Sequence, residues 1–430
     1  MENLRTIFFI INIGLILYLV FVDRKETEST WAWVLLLLNF PIPGFFIFIL
    51  IGQRAKRQKA YGSNGIGVLT EDNQVEVLLS GEEKFQAVFS DVKNAKKEIL
   101  IQYYIFKDDF LFQNLRTLLI RKLEEGVKVK ILYDSLGSRK ISSKIWEELK
   151  KSGAEVRSFK HGIFGNLWSV ISGFNYRNHR KIIVIDHHIG YLGGYNIGKE
   201  YLGLEPRFGF WRDTHFRIVG SAVSSLQSVF FYDWGREETA EPVQGGMGGC
   251  AVQMVTSGPS SDAPHIRNVY LRCISNAKKK ICIQTPYFVP DAVVLNALKL
   301  ALLSGKEVHL MIPKKPDHMF VYWASLYYAA ELLRMGAKIY FYEKGFLHAK
   351  GIIMDEEVYC FGTANMDIRS FHLNFEINAI VYGKTEVKKM CEVFEKDLED
   401  CKQLTLQEYE SRSQKIRIKE HISRLLSPLL

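Results

Sequence analysis

The stretch NHRKIIVID at residues 178–186 recurs as LHAKGIIMD at residues 347–355. Both copies carry the pattern His-x-Lys-x4-Asp, and both are followed, after six residues, by a turn of small residues that ends in Asn. Two copies with the same spacing are hard to obtain by chance. Two histidines and two lysines that converge on one pocket suit phosphoryl chemistry, because it needs a nucleophile, an acid/base partner and cations for the phosphate oxygens.

The motif residues are the candidate catalytic set: His179, Lys181, Asp186, His348, Lys350 and Asp355. We predict that both motifs are strands, in which side chains alternate, so that each His shares a face with its Lys. Each Asp has the opposite parity and should face away from the site. We therefore expect the two aspartates to hold local structure.

Two later carboxylates are candidates to orient the histidines. Asp213 lies 34 residues after His179, and Glu376 lies 28 residues after His348. A carboxylate bonded to one ring nitrogen fixes the tautomer of a histidine and stabilises its charged form.

The composition limits the class of protein. The chain has 430 residues, is 47% hydrophobic and carries a formal net charge of +9. It is too apolar to be disordered, and its charge favours an anionic partner such as nucleic acid, an acidic membrane or a phosphorylated substrate. The six cysteines show no CxxC spacing, which argues against a zinc site or a disulfide framework and fits reduced cytoplasmic thiols.

Two apolar runs, at residues 7–22 and 31–52, predict a two-helix membrane anchor over residues 1–53. A signal peptide is the alternative for the first run. The second contains Pro41, Pro43 and Gly44, so a kink is expected there, and a re-entrant or interfacial hairpin is the alternative to a full span.

A basic linker, residues 54–74, follows the anchor. Four of its basic residues lie directly after the second apolar run, whereas the loop between the runs has two beside three acids. The positive-inside rule then predicts a multi-pass protein of the cell membrane with its catalytic domains, and its N-terminus, in the cytoplasm. The cluster would also attract anionic headgroups.

The rest of the chain is an internal duplication. EILIQYYIF at residues 98–106 resembles KICIQTPYF at residues 280–288, and KSGAEVRSF at residues 151–159 resembles RMGAKIYFY at residues 334–342. In each repeat, strands alternate with helices, which predicts an α/β fold. We place the first domain at residues 75–244, the second at 245–410 and a basic amphipathic tail at 411–430, with the two halves packed as a pseudo-dimer.

The repeated motif resembles the phospholipase D superfamily, and the whole chain resembles the two-motif bacterial cardiolipin synthases. Besides the motifs, the similar segments are PIPGFFIFILIGQ, GGYNIGKEYLG, FWRDTHFRIVG, KPDHMFVYWAS and GTANMDIRSFHLNFE. The departures are Gly194 and Thr363, which stand where the broader superfamily often has Ser. The resemblance implies two tandem phospholipase D-like α/β sandwich domains.

The resemblance also implies an activity. This family joins two phosphatidylglycerol molecules into cardiolipin and releases glycerol through a phosphatidyl-histidine, without a nucleotide, metal or redox cofactor. It implies His179 as the nucleophile and His348 as the acid/base, with Lys181, Lys350, Asn196 and Asn365 on the phosphate oxygens. The implied partners are phosphatidylglycerol and other anionic membrane lipids, and not nucleic acid; the oligomeric state is left open.

Two segments are candidates for contact with lipid: the apolar stretch at residues 161–177 and the C-terminal tail. For each, the alternative is an ordinary element packed on the protein body. Three other functions compete with cardiolipin synthesis. They are a different phosphatidyltransferase or hydrolytic phospholipase D on the same scaffold, a nuclease, and a non-catalytic membrane scaffold.

Overall fold

The computed structural model describes residues 2–23, 27–52, 65–159, 176–235, 248–259, 261 and 263–427. The chain divides into two units, one made of residues 1–59 with 160–177 and the other of residues 60–159 with 178–430. Most of the candidate lipid-contacting stretch, residues 161–175, lies outside the described residues. So does the basic cluster of the linker, within residues 53–64.

The first apolar run of the smaller unit is helix α1 (Glu2–Tyr18), which continues as a π-helical turn (Leu19–Asp23). Within the described part of the chain, this is the one helix long and apolar enough to cross a membrane, over Asn3–Val22. The second run forms α2 (Thr27–Asn39), α3 (Pro41–Ile47) and a π-helical turn (Phe48–Gly52). The expected second span is not confirmed, because the run is interrupted ahead of Pro41.

The second run folds back on itself at this interruption. The rings of Trp33 and Phe48 lie 5.1 Å apart, whereas a straight helix would separate them by about 22 Å. Asn12, midway along α1, donates from Nδ2 to the carbonyl oxygens of Leu37 (2.9 Å) and Pro41 (2.8 Å). Because Pro41 has no N–H to bond the Leu37 carbonyl, Asn12 supplies the missing donor. Helices α2 and α3 therefore form a helical hairpin whose apex is bonded to α1.

The larger unit contains the two predicted repeats. The first consists of β1 (Thr70–Leu78), α4 (Gly81–Asn94), β2 (Glu98–Tyr103), α5 (Phe110–Glu124), β3 (Lys128–Asp134), α6 (Ser143–Lys151), β4 (Glu155–Phe159), β5 (Arg177–Asn178), β6 (Ile182–Ile185), β7 (Ile189–Gly193), β8 (Phe210–Arg212), β9 (His215–Val219) and α7 (Ala222–Trp234).

The second repeat follows the same general order, with short extra elements in its interior and further elements at its end. It consists of β10 (Cys250–Ser257), α8 (His265–Asn276), β11 (Lys280–Gln284), β12 (Phe288–Val289), α9 (Ala292–Leu303), β13 (Glu307–Pro313), α10 (Met319–Leu333), β14 (Lys338–Tyr342), β15 (Gly345–Leu347), β16 (Gly351–Met354), β17 (Val358–Gly362), β18 (Met366–Asp367), α11 (Ile368–His372), β19 (Asn374–Val381), α12 (Lys384–Glu399), β20 (Cys401–Leu404), α13 (Leu406–Glu410) and α14 (Gln414–Leu425). The predicted alternation of strands and helices is confirmed.

Equivalent helices begin with the same cap. Asp109 accepts hydrogen bonds from the first backbone N–H groups of α5, and Asp291 does so at α9. An N-terminal aspartate satisfies donors that the helix itself leaves unpaired and favours the positive end of the helix dipole. The duplication therefore extends to the residues that start the helices.

The main sheet is nearly symmetric about its centre. Its strands run in the order β20-β14-β13-β11-β16-β17-β19-β10-β1-β9-β7-β6-β2-β3-β4. Outward from the antiparallel β1–β10 pair, the strands of the two halves follow in the same order, so that each strand has its repeat partner at the equivalent position on the other side. Strand β20 is added at one edge. This is the arrangement expected of a pseudo-dimer of α/β halves.

Three apolar cores support this sheet. One lies under the helices of the first half, one under those of the second half, and the third takes residues from both halves. In the third core, the rings of Phe216 and Phe361 approach to 3.7 Å. This shared core fixes the two halves against each other, so that their motifs meet across a rigid interface.

Candidate active site

The first motif histidine lies between β5 and β6 and contacts the opposite half. Nδ1 of His179 lies 2.9 and 3.0 Å from the two carboxylate oxygens of Glu376, a fully buried residue of β19. The ring of Tyr104 meets that of His179 edge-on at 5.1 Å. These contacts fix the orientation of the imidazole and leave Nε2 as the nitrogen available for chemistry.

The second motif histidine has a matching environment. Nδ1 of His348 lies 2.6 Å from Oδ2 of Asp213, which is also buried and comes from the first half. The ring of Trp211 lies 5.1 Å from the His348 ring. Each half thus supplies the histidine of one pair and the carboxylate of the other.

This crossed pairing differs from the order of the sequence, in which Asp213 follows His179 and Glu376 follows His348. The backbone explains the difference. The N–H of His179 donates to the Phe375 carbonyl at 2.9 Å, and the N–H of His348 donates to the Arg212 carbonyl at 2.7 Å. Each motif is therefore bonded to the segment of the other half that precedes the partner carboxylate.

The lysines do not follow the predicted strand alternation, because His179–Lys181 and His348–Lys350 lie in the links just ahead of β6 and β16. Nζ of Lys181 donates to the carbonyl of His179 at 2.7 Å, and Lys350 makes the same bond to His348. Each lysine thus folds back over its own histidine. Nζ of Lys350 also lies 4.0 Å from Oδ2 of Asp213.

Burial and charge tune the protonation of the four groups. Burial, reinforced by the Lys350 ammonium, lowers the pKa of His348 to about 4, and burial also lowers the pKa of His179. Burial lowers the pKa of Lys181 to about 7 and that of Lys350 to about 8. Both imidazoles are therefore neutral at neutral pH before substrate binds, with the Nε2 lone pair free if Nδ1 carries the proton.

The two carboxylates remain ionised although they are buried. Burial alone would raise the pKa of Asp213, but Lys350 and His348 outweigh it and lower that pKa. His179 and Lys181 lower the pKa of Glu376 in the same way. The pocket therefore holds two fixed negative charges, each bonded to the back of an imidazole.

The third motif residues lie outside this cluster. Asp186 accepts hydrogen bonds from the backbone N–H groups of Lys96 and Lys97, both at 2.7 Å, and of Glu98 at 3.0 Å. Asp355 accepts the equivalent three bonds from residues 278–280. Both aspartates have positive φ, 50° and 51°, in tight turns between antiparallel strands. They bind the turn to the start of a neighbouring strand.

The two asparagines are buried and partly used by local bonds. Nδ2 of Asn196 donates to the hydroxyl of Tyr201 at 2.8 Å, and its Oδ1 accepts from the Ile105 N–H at 3.2 Å. Nδ2 of Asn365 donates to Asp367 at 3.1 Å. Each amide retains a second N–H, so phosphate binding by these residues stays a prediction.

Several supporting residues were missed in the sequence. Asp233, on α7, accepts from Gln102 at 2.6 Å and from Arg180 at 2.5 Å. In the second half, Asp397 on α12 accepts from Gln284 at 2.8 Å and from Arg212 at 2.8 Å. These networks hold the residues next to His179 and next to Asp213. The two glutamines occupy equivalent places in the repeat, and this is the signal that could have indicated the two networks.

Gly194 and Thr363 occupy equivalent turns but differ for a steric reason. A Cβ at Gly194 would lie 2.1 Å from Oδ1 of Asp213, so a side chain there would displace the carboxylate that binds His348. Thr363 has room, and its hydroxyl accepts from the N–H of Ile377, the neighbour of Glu376, at 2.9 Å. Because Gly194 has no side chain, the Asp213 carboxylate can occupy the position from which it binds His348.

Comparison with known proteins places this geometry in a family. The family model "Cardiolipin synthase, PLD-like domain" matches residues 88–206 and 270–398, one match around each motif. The chain is 43% identical to the Major cardiolipin synthase ClsA of Bacillus subtilis (strain 168), with 99% of each chain covered. It belongs to the cardiolipin synthase family with phospholipase D-like domains.

A second relative belongs to the same family, and two solved structures share the fold. The chain is 41% identical to the cardiolipin synthase of Oceanobacillus iheyensis, with 98% of each chain covered. The phosphatidylserine synthase of Haemophilus influenzae has the same fold, with a TM-score of 0.66 at 14% identity over 83% of this chain and 95% of that one. The polyphosphate kinase of Porphyromonas gingivalis superposes with a TM-score of 0.55 at 14% identity over 82% and 52% of the chains. These two share the fold only.

Proposed function

We propose that this protein is a membrane-associated phosphatidyltransferase that makes cardiolipin and glycerol from two molecules of phosphatidylglycerol. The observation that carries the proposal is the pair of His–carboxylate contacts, His179 with Glu376 and His348 with Asp213, crossed between two halves that belong to the cardiolipin synthase family. Phosphodiester exchange breaks one ester and forms another, so two histidines and fixed cations meet its needs.

The first step forms a phosphatidyl-histidine. Nε2 of His179 bonds to phosphorus, the bond from phosphorus to the glycerol oxygen breaks, and His348 gives its proton to that oxygen. The anionic phosphate in the cleft raises the pKa of His348 from about 4, and Asp213 stabilises the imidazolium. Lys181 and Lys350 offset the charge that develops on the phosphate oxygens.

The second step reverses the roles around phosphorus. His348 removes the proton from the primary hydroxyl of a second phosphatidylglycerol, whose oxygen bonds to phosphorus as the bond to His179 breaks. Cardiolipin leaves, and both histidines return to their starting states. We propose Asn196 and Asn365 as further ligands of the phosphate oxygens, with Asp186 and Asp355 as structural members of the motifs.

The assignment of His179 as the nucleophile is testable with a phosphatidyl donor that carries a p-nitrophenyl leaving group, which needs no acid. His348→Ala should then accumulate a phosphatidyl adduct at residue 179, detected by mass spectrometry of acid-sensitive peptides, whereas His179→Ala should form none. An adduct at His348 in the His179→Ala chain would reverse the roles.

The overall activity is tested with the full chain in phosphatidylglycerol liposomes, without nucleotide, by measuring cardiolipin and glycerol together. Equal amounts of both products, lost in His179→Ala and in His348→Ala, are expected. Phosphatidic acid with glycerol would instead identify water as the acceptor and the protein as a hydrolase. Turnover only after another alcohol or lipid is added would assign a different phosphatidyltransferase.

The finer membrane topology is also a proposal, with the catalytic domains at residues 75–244 and 245–410 placed in the cytoplasm. The multi-pass anchor competes with a re-entrant hairpin. The contact between Trp33 and Phe48 and the bonds from Asn12 to the hairpin apex support the hairpin. Helix α1 would then cross the membrane alone, and the N-terminus would lie outside.

A cysteine at Asn3 distinguishes the two topologies. Because the re-entrant hairpin places the N-terminus outside, a membrane-impermeant maleimide should label Asn3→Cys in intact cells, with the wild-type chain as background. Lys389→Cys, on the exposed side of α12, should be labelled only after lysis. Labelling of both sites only after lysis would instead establish two full spans.

A further inference from the structure

The C-terminal helix α14 is packed against the protein by its polar face. Its buried residues are Glu420 and Ser423, 2% and 1% exposed. Glu420 accepts from the hydroxyl of Tyr409 at 3.0 Å and is paired with Arg412. Ser427, just beyond the helix, bonds to Tyr328 on α10 at 3.2 Å. Specific polar contacts therefore hold the orientation of the helix.

The apolar face of the same helix points to solvent. Ile418, Ile422 and Leu425 are 56%, 51% and 70% exposed. Their spacing of four and three residues places them in one stripe along the helix. The inner face carries Glu420 and Ser423 with the half-buried Ile416, whereas three large apolar side chains are on the outer face. The outer face is therefore suited to an apolar partner.

Cations lie on both sides of this stripe. At 100° per residue, Lys415 and Lys419 lie on one side of the stripe, and Arg417 and Arg424 lie on the other, beyond Gln414 and His421. None of the four is ion-paired with a carboxylate among the described residues, and the one acid of the helix, Glu420, is on the buried face. Lys419 and Arg424 also lie over the rings of Trp323 and Tyr327 on α10, at 5.4 and 5.1 Å, and Arg417 donates to the Glu410 carbonyl. An apolar stripe flanked by cations that no carboxylate neutralises is the pattern of a helix that lies in the headgroup region of an anionic membrane.

We propose that α14 docks on the surface of an anionic bilayer, with Ile418, Ile422 and Leu425 among the acyl chains and the four cations at the headgroup phosphates. A second copy of the chain is disfavoured as the occupant, because two such faces would bring eight cations together. This docking surface is separate from the catalytic site, and its test measures contact with lipid without measuring enzymatic activity.

Helix α9 on the same side of the second half agrees with this orientation. It is joined to α10 through the Lys299–Glu331 pair, and α10 packs against α14. On α9, Leu300 and Leu303 are 64% and 75% exposed. Two helices that contact α10 therefore each expose apolar residues, which suits a broad, flat partner such as a membrane.

Spin labels on the full chain test the proposal. Nitroxides are placed at Ile418→Cys, Ile422→Cys and Lys389→Cys, the last on α12, whose buried residues belong to the core between the halves. Cys391 and Cys401, which are half-buried, are changed to Ser in all chains. The protein is inserted in nanodiscs of phosphatidylglycerol with phosphatidylcholine, or of phosphatidylcholine alone.

In the phosphatidylglycerol discs, the labels at 418 and 422 should gain accessibility to oxygen and lose accessibility to a water-soluble nickel complex by at least threefold. The label at 389 should not change. Lys415→Glu should withdraw the labels without changing the thermal midpoint, because the Lys415 side chain is exposed. Each cation lost should weaken surface binding by about fivefold.

Two outcomes would overturn the proposal. Labels at 418 and 422 that stay accessible to nickel in phosphatidylglycerol discs would show that the helix remains in water. Dipolar broadening that disappears on dilution with unlabelled protein would identify a second copy as the occupant. Glycerol release, measured in the same discs, tests the catalytic proposal independently of the label accessibility.

Discussion

At the scale of single residues, the carboxylates behind the histidines carry a prediction. Glu376→Gln removes a fixed negative charge from Nδ1 of His179 and presents an amide that also stabilises the wrong tautomer. We expect kcat to fall by about 10²- to 10⁴-fold with little change in KM. The measurement is the initial rate of glycerol release from phosphatidylglycerol liposomes. Glu357→Gln, an exposed carboxylate in the turn after the second motif, is the control and should keep full activity.

Substitution of Asp186 should lower the stability of the protein and leave kcat unchanged. Its carboxylate accepts three backbone N–H bonds and does not contact the histidines, so Asp186→Asn replaces one acceptor oxygen with a donor. Stability should fall by about 1–3 kcal/mol, whereas kcat per folded molecule should be retained. Thermal unfolding and a rate normalised to folded protein separate these effects. A large loss of kcat without a shift in the midpoint would place Asp186 in the chemistry.

The lysines predict an unusual dependence of activity on pH. The pKa of Lys181 is lowered to about 7 and that of Lys350 to about 8, so each ammonium is present at lower pH and is lost as the pH rises through these values. We therefore expect kcat/KM to decline between about pH 7 and 8, far below the ordinary lysine pKa of about 10.4.

Lys181→Arg tests the origin of this decline, because a guanidinium stays charged. In this variant the fall of kcat/KM near pH 7 should disappear, and the fall near pH 8 should remain. The overall rate should be lower, because the planar guanidinium fits the site less well than an ammonium. A decline that stays near pH 7 in this variant would mean that another group titrates there. The profile is read from initial rates in liposomes at constant ionic strength.

At the scale of elements, the turn after β7 makes room for the first-half carboxylate. Gly194→Ala places a methyl group about 2 Å from Asp213, and the carboxylate has to move away from His348. Activity should fall by at least about 10²-fold, since a misplaced catalytic group of this kind is costly. Gly249→Ala is the matched control, because a Cβ there meets no atom within 4 Å. Equal activities of the two variants would contradict the steric argument.

The elements themselves were largely predictable, because each repeat carries short β-branched runs and helices with apolar spacing. The structure has the predicted alternation of strands and helices in both repeats. The partners of the histidines were not predictable in the same way. The sequence separation of Asp213 from His179 says nothing about which half it faces, and only the contact between β8 and β15 brings Asp213 to His348.

The second apolar run shows another limit of prediction. Its length satisfies a membrane span, and its prolines predict a kink, but composition does not say by how much the helix bends. The bend depends on a donor for the Leu37 carbonyl, and Asn12 provides it from a different helix. Asn12 makes the first run less apolar, and its role is to bond the bend of the second run.

At the scale of the whole molecule, the pseudo-twofold arrangement makes one site from two halves of a single chain. The antiparallel β1–β10 pair joins the half-sheets, and the shared core holds them together. Neither half has a complete His–carboxylate pair, because each histidine binds the carboxylate of the other half. Catalysis and the packing of the two halves are therefore coupled.

This coupling predicts the result of mixing two inactive chains. Each chain forms its catalytic cleft from its own two halves. A His179→Ala chain therefore lacks one histidine of its cleft, and a His348→Ala chain lacks the other. Co-reconstituted in the same phosphatidylglycerol liposomes, they should release no more glycerol than either alone. If chains exchanged halves, as in a domain-swapped dimer, about a quarter of the clefts would regain both histidines. Recovered activity near that level would show that the site forms between two molecules.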